Sequence, residues 1–148
     1  MAFIISILIP NAIGFIGGLI GNSSNGFKDM IKPNFTPPSI VFPIVWVILF
    51  TLMGISTYII YKSHSNEKKN AFIIYGVQLI ANALWNLFFF RLKWYLFAFF
   101  WVLLLIVLVI YMINSFYKVN KISAYLQIPY LLWLIFAAIL SYNVYLLN

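Results

Sequence analysis

Five stretches of this 148-residue chain run for twenty residues or more without a charged side chain: Ala2 to Gly21, Ile40 to Tyr61, Asn70 to Phe90, Tyr95 to Tyr117 and Ile122 to Leu147. An α-helix rises about 1.5 Å per residue, so roughly 20 apolar residues cross a hydrocarbon layer about 30 Å thick. Every charged residue falls between or beyond these stretches. With 7% of residues charged and 65% hydrophobic, against about 25% charged in an ordinary soluble domain, the chain cannot cover a globule with polar groups. The pattern predicts an all-α integral membrane bundle: one domain, residues 1–148, of five transmembrane helices. The first stretch has no basic region before it and no small-residue cleavage site, so it reads as a helix rather than a cleaved signal peptide.

The connections differ in length. Arg91 to Trp94 and Lys118 to Lys121 are four residues each, which makes the helices they join antiparallel neighbours. Asn22 to Ser39 is an eighteen-residue loop rich in Asn, Ser, Gly and Pro, a length common in lids and binding elements. The net charge of +7 does not point to nucleic acid, because the cations sit singly or in small groups between apolar runs, where membrane proteins meet lipid headgroups. Five of them (Lys62, Lys68, Lys69, Lys118, Lys121) share a face with the N-terminus and four (Lys28, Lys32, Arg91, Lys93) lie opposite. That count favours a cytoplasmic N-terminus in a multi-pass protein of the cell membrane.

The reactive inventory is thin. Cysteine is absent and His64, Asp29 and Glu67 are the whole supply of imidazole and carboxylate. Acid/base, thiolate and metal chemistry therefore have almost nothing to work with, and no metal or cofactor is expected.

Some residues inside the apolar runs call for an account. Gln78, Asn82 and Asn86 recur every four residues and share one helix stripe, flanked by Trp85 and Phe89. Such amides either bond neighbouring helices or line a cavity and orient a ligand. Gly14 with Gly18, and Gly17 with Gly21, form G-x-x-x-G pairs, which permit close backbone approach within the chain or in a homodimer. Trp94 and Tyr95 fall at a predicted membrane boundary, and Trp101 reads as a lipid or partner contact. Trp46, Phe50 and Met53 share a face of the second helix, and Tyr130, Trp133, Ala137 and Ser141 one of the fifth.

Counting from the long loop, Trp46 lies roughly 9 Å and Asn82 roughly 12 Å below that side. Ser141, Ala137, Gly14 and Gly18 fall in the same half. A single neutral pocket of aromatic walls and a few amides under the long loop is the economical expectation, suited to a large, flat, mostly apolar molecule and not to an ion.

The long loop carries specific residues: Phe27-Lys28-Asp29-Met30-Ile31-Lys32-Pro33-Asn34-Phe35-Thr36-Pro37-Pro38, then Val41-Phe42, Val45-Trp46, Leu49-Phe50, Leu52-Met53-Gly54 and Tyr58. This closely resembles the translocator proteins, TspO, also called tryptophan-rich sensory proteins or peripheral-type benzodiazepine receptors, whose pattern reads approximately WYxxLxKPxWxPPxxVFxxVWxxLYxLMG. Gln78, Asn82, Trp85 and Phe88-Phe89 match the family's third helix, and Tyr130, Trp133, Phe136-Ala137, Leu140 and Asn148 its fifth. The resemblance is to a bacterial member and spans essentially the whole chain.

The resemblance implies a five-helix bundle, commonly a homodimer in membrane lipid, that binds protoporphyrin IX and related tetrapyrroles, and benzodiazepine-site drugs such as isoquinoline carboxamides, below the first loop. By motif position it implies Trp46, Asn82 and Trp133 as pocket residues. With the helical faces above, the expected ligand-binding set is Phe27, Trp46, Phe50, Gln78, Asn82, Trp85, Phe89, Tyr130, Trp133 and Ala137. It also implies light-dependent oxidative degradation of bound porphyrin, for which Trp46 and Trp133 are the candidate catalytic residues, since the ligand absorbs the light and indoles can react with it. A transporter or passive carrier of porphyrins is the alternative. The chain departs from the family where Gly26-Phe27 replaces Trp-Tyr, Phe35 a Trp, Ser141 an Asn and Tyr145 a Trp. No Lys or Arg follows Tyr142 or Tyr145, so the proposed cholesterol pattern fails there and cholesterol is not an expected partner.

Overall fold

The computed structural model describes the backbone of residues 1–148 and every side chain except those of Ser23, Ser24 and Asp29. Five helices are long and apolar enough to cross a membrane, spanning Ala2–Gly21, Val41–Lys62, Lys68–Arg91, Tyr95–Val119 and Lys121–Leu147, and there is no strand among the described residues. In chain order the elements are α1 (Ala2–Gly21), α2 (Ser23–Asp29), α3 (Val41–Lys62), α4 (Lys68–Asn86), α5 (Tyr95–Val119), α6 (Lys121–Tyr125) and α7 (Ile128–Leu147). Two of them refine the sequence reading. The long loop is part helix, because Ser23–Asp29 forms the two turns of α2. The fifth stretch is broken at Leu126 and Gln127, just before Pro129, whose ring has no N–H to return to the Tyr125 carbonyl.

The helix ends follow local chemistry. Asn22 ends α1 in the left-handed conformation, and its N–H reaches the carbonyls of Gly18 and Leu19; Asn tolerates this backbone better than most residues. Asn120 starts α6 by accepting hydrogen bonds from the N–H groups of Ile122 (2.9 Å) and Ser123 (3.2 Å). Beyond Asn86, α4 widens into a π-helical turn, Leu87–Arg91. Arg91 is more than a headgroup cation: its Nε–H donates to the carbonyl of Ile20 at the end of α1.

Packing resolves the glycine pairs. α1 lies against α3 and α4, α5 against α4 and α7, and α6 against α3. A methyl group on Gly21 would stand 2.5 Å from the Asn86 carbonyl oxygen, and one on Gly17 3.1 Å from the Cα of Ala83; on Gly14 it would enter the Phe50 ring. These three glycines are therefore spent on contacts within the chain. Gly54 of α3 does the same from the other side, where a Cβ would meet the Ser6 carbonyl at 2.5 Å. That carbonyl lies four residues before Pro10, which removes its usual helical partner.

Two apolar clusters fill the bundle. One joins Phe50, Met53, Tyr75, Leu79, Val109, Phe116 and Tyr130; the other, nearer the long loop's face, joins Met30, Trp85, Phe89, Phe90, Tyr95 and Val102. Two boundary expectations change as a result. Tyr95 is buried, its ring 5.2 Å from Phe89, whereas Trp94 stays 52% exposed as a belt residue does. Trp101, expected as a lipid or partner contact, is half-buried and donates its indole N–H to the Ala81 carbonyl at 2.8 Å, joining α5 to α4.

Candidate functional site

Antiparallel α3 and α7 bring the aromatic faces together, as the loop-side count predicted. Trp46 stacks on Phe50 with centroids 5.3 Å apart and meets Tyr130 and Trp133 edge-on, each at 6.2 Å. The rings continue upward: Trp133 to Phe42 at 5.7 Å, and Phe42 to Phe27 at 5.1 Å. Six side chains from α2, α3 and α7 thus form a ladder from the long loop into the bundle, with each step within the range for favourable edge or offset contacts.

The ladder ends on a polar network. The Tyr130 hydroxyl donates to Gln78 Oε1 at 2.8 Å and accepts from Asn82 Nδ2 at 2.8 Å. All three side chains are buried. The direction of the chain follows from Met53, whose Sδ lies 4.0 Å from Gln78 Nε2. Thioether sulfur carries no proton, so Gln78 turns its NH2 to Met53 and its oxygen to Tyr130. The single tyrosine proton is then spent on Gln78, and Asn82 must be the donor. Asn82 Oδ1 takes no hydrogen bond from any described residue. Two of the three amides on the α4 stripe therefore bond a neighbouring helix, and the third, Asn86, donates to its own helix at the Asn82 carbonyl, 3.4 Å away.

Above the ladder the long loop walls a groove of about 380 Å³, lined by Phe27, Lys28, Lys32, Thr36, Pro37 and Pro38 among others. Lys32 holds the loop's shape: its ammonium donates to the carbonyls of Phe27 (2.6 Å) and Met30 (3.1 Å) and lies 4.5 Å above the Phe27 ring. Asn148 pins the loop from α7, accepting from the Ile31 N–H (3.1 Å) and donating to the Ile31 carbonyl (2.8 Å).

Of the residues expected at the site, Phe27, Trp46, Phe50, Gln78, Asn82, Tyr130 and Trp133 belong to this connected set. Ala137 is buried on the same helix one turn beyond Trp133, where its carbonyl accepts from Ser141 Oγ at 2.7 Å. Trp85 and Phe89 stack on each other at 4.8 Å in the second apolar cluster, with Phe90 and Tyr95. Sequence reasoning missed Met53 as the partner of Gln78, Phe42 as the middle rung and Asn148 as the pin. It also passed over Gln127, which the argument that flagged Gln78 applies to equally.

A five-helix membrane bundle with a neutral aromatic seam, closed at one end by an amide–tyrosine network and at the other by a Pro-rich loop, is a membrane protein built around an apolar site and not around charge. Residues 6–147 match the TspO/MBR family, and the chain belongs to it. It is 34% identical over 150 residues to the tryptophan-rich protein TspO of Archaeoglobus fulgidus, covering 100% of this chain and 97% of that protein. Against the tryptophan-rich protein TspO of Chlorobaculum tepidum it is 30% identical, covering 93% and 89%. It is likewise 30% identical to the translocator protein of Ovis aries, covering 93% and 85%.

Proposed function

We propose that this protein binds a large, flat, mostly apolar ligand of the tetrapyrrole class, such as protoporphyrin IX, between the long loop and the Trp46–Trp133 seam. The observation that carries the reading is the unbroken ladder Phe27–Phe42–Trp133–Trp46–Tyr130, which runs from the groove under the long loop to Asn82, an amide with an open acceptor. The ligand's faces would rest on the indoles, and a polar N–H or O–H would meet Asn82 Oδ1. The exposed Lys28 at the groove, with the half-buried Lys32 beside it, would face carboxylates. Isoquinoline carboxamide and other benzodiazepine-site drugs, flat and neutral with an amide, suit the same walls.

Trp46 and Trp133 would both touch a bound porphyrin, which is the placement that light-dependent oxidation of the ligand requires. The test is illumination of the complex in air. Porphyrin loss faster with protein than without, and slowed by Trp46→Phe or Trp133→Phe, supports that activity; equal loss in all three removes the tryptophans from it. Carriage across the membrane is tested by counterflow of labelled porphyrin in proteoliposomes, where a binding protein gives no flux.

Binding itself is tested by titrating protoporphyrin IX into protein in nanodiscs and following tryptophan quenching. Saturation near one site per chain is expected. Unchanged binding in the Trp46→Ala, Trp133→Ala double variant would sink the reading.

A further inference from the structure

Away from the aromatic seam, the break between α6 and α7 buries a polar side chain with no hydrogen-bond partner among the described residues. Gln127 has no solvent exposure, yet neither its Oε1 nor its Nε2 has a hydrogen-bond partner among the described residues. The Tyr75 hydroxyl also has no hydrogen bond of ordinary geometry among the described residues: it faces the Thr57 side chain, whose own proton goes to the carbonyls of Met53 and Gly54 at 3.1 and 3.0 Å, so Thr57 can only accept from Tyr75 and the Tyr75 oxygen is left without a donor. A buried amide or hydroxyl left unbonded is among the costlier features a protein interior can carry.

The register brings these groups to one level. Ser123, Gln127, Tyr130 and Leu134 share a buried face across the break. At one end of this face the Ser123 carbonyl accepts from Ser56 Oγ of α3 at 2.7 Å. At the other, Tyr130 meets Gln78 of α4. Gln127 falls between these two ties. Tyr75 lies one turn before Gln78 on α4, which runs parallel to α7, so it reaches the level of Gln127. The backbone is interrupted at the same level, because Pro129 offers no N–H. Inside a membrane, a helix break is tolerated where side chains or ordered waters satisfy the freed groups.

We propose that the α6–α7 break holds an internal hydration site, with ordered water bridging the Gln127 amide and the Tyr75 hydroxyl. Water is the occupant that fits: Gln127 presents a carbonyl acceptor and an NH2 donor group, Tyr75 a hydroxyl, and both side chains are neutral. The site lies beneath the Gln78–Asn82–Tyr130 network and is independent of any ligand in the aromatic seam.

The chain contains two glutamines, Gln78 and Gln127, so labelling with 15N-glutamine gives two side-chain amides to observe by NMR. The Gln78 oxygen is bonded to Tyr130 and its NH2 faces Met53, which makes it the dry reference; Gln127→Leu assigns the pair. A cross-relaxation peak between water and the Gln127 NH2 is the expected result, and the absence of a water peak at either glutamine amide of the wild-type protein would overturn the proposal without requiring any variant to fold. Thermal unfolding gives a second reading. With a shared water, Gln127→Leu and Tyr75→Phe each lower Tm and the double variant falls short of their sum. A rise in Tm with Gln127→Leu, the outcome for a dry and unbonded amide, would also overturn it.

Discussion

The Tyr130 hydroxyl ties α7 to two positions on α4, so Tyr130→Phe measures what that tie contributes. The substitution deletes one oxygen and keeps the ring, including its edge contact with Trp46, and thus leaves the aromatic seam in place. Two hydrogen bonds of 2.8 Å are lost, and Gln78 Oε1 and Asn82 Nδ2 lose their partner inside the bundle. Interhelical hydrogen bonds in membranes are worth about 0.6 kcal/mol on average and up to about 1.7, which puts the loss at about 1–3 kcal/mol. For a chain of this size each kcal/mol moves Tm by roughly 2–4 °C, so a drop of roughly 2–12 °C is expected. Thermal unfolding in nanodiscs, read by tryptophan fluorescence, is the assay. A double-mutant cycle with Asn82→Ala should show that the two losses are less than additive. A Tyr130→Phe protein as stable as wild type, or strictly additive losses, would refute the network as a source of stability.

Other outcomes follow from the same geometry. Gly54→Ala drives a methyl group into the Ser6 backbone and should cost about 1–3 kcal/mol by overpacking; Gly76→Ala, with nothing within 4 Å of the new methyl, should stabilise by about 0.5–1 kcal/mol. Comparing their denaturation midpoints checks both. Asn148→Ala removes both bonds to Ile31, so hydrogen exchange at the Ile31 amide should quicken while the Tm barely moves, the loop being exposed. Lys28→Gln should weaken protoporphyrin IX binding about two- to fivefold, the worth of an exposed ion pair, and leave the dimethyl ester's affinity unchanged.

The spans were legible because lipid imposes one rule on every residue of a crossing helix, and charge-free length records it. The depths of Trp46 and Asn82 were legible too, since helical period and antiparallel connectivity place both in the leaflet under the long loop, with Trp133 nearer the midplane. What those residues do to one another was less so. That Asn82 and Gln78 are bonded through Tyr130 depends on side-chain reach across α4 and α7, and its direction on Met53, a residue that looks like plain core in the sequence. The split between the Trp46 seam and the Trp85–Phe89 cluster turns on helix rotation about the axis, which a four-residue stripe does not define. The α6–α7 break has a local cause in Pro129, but a proline near the start of a helix is ordinarily harmless, and only the packed fold buries Gln127 at the break with no partner among the described residues.

The central claim is that the Trp46–Trp133 seam and Asn82 form one ligand site beneath the long loop. Its most direct test is a structure of the protein with protoporphyrin IX bound, in lipid. A macrocycle against both indoles is expected, with a polar edge at Asn82 and carboxylates toward Lys28 and Lys32. A ligand lodged elsewhere, with Trp46 and Trp133 still edge to face as in the free protein, would contradict it.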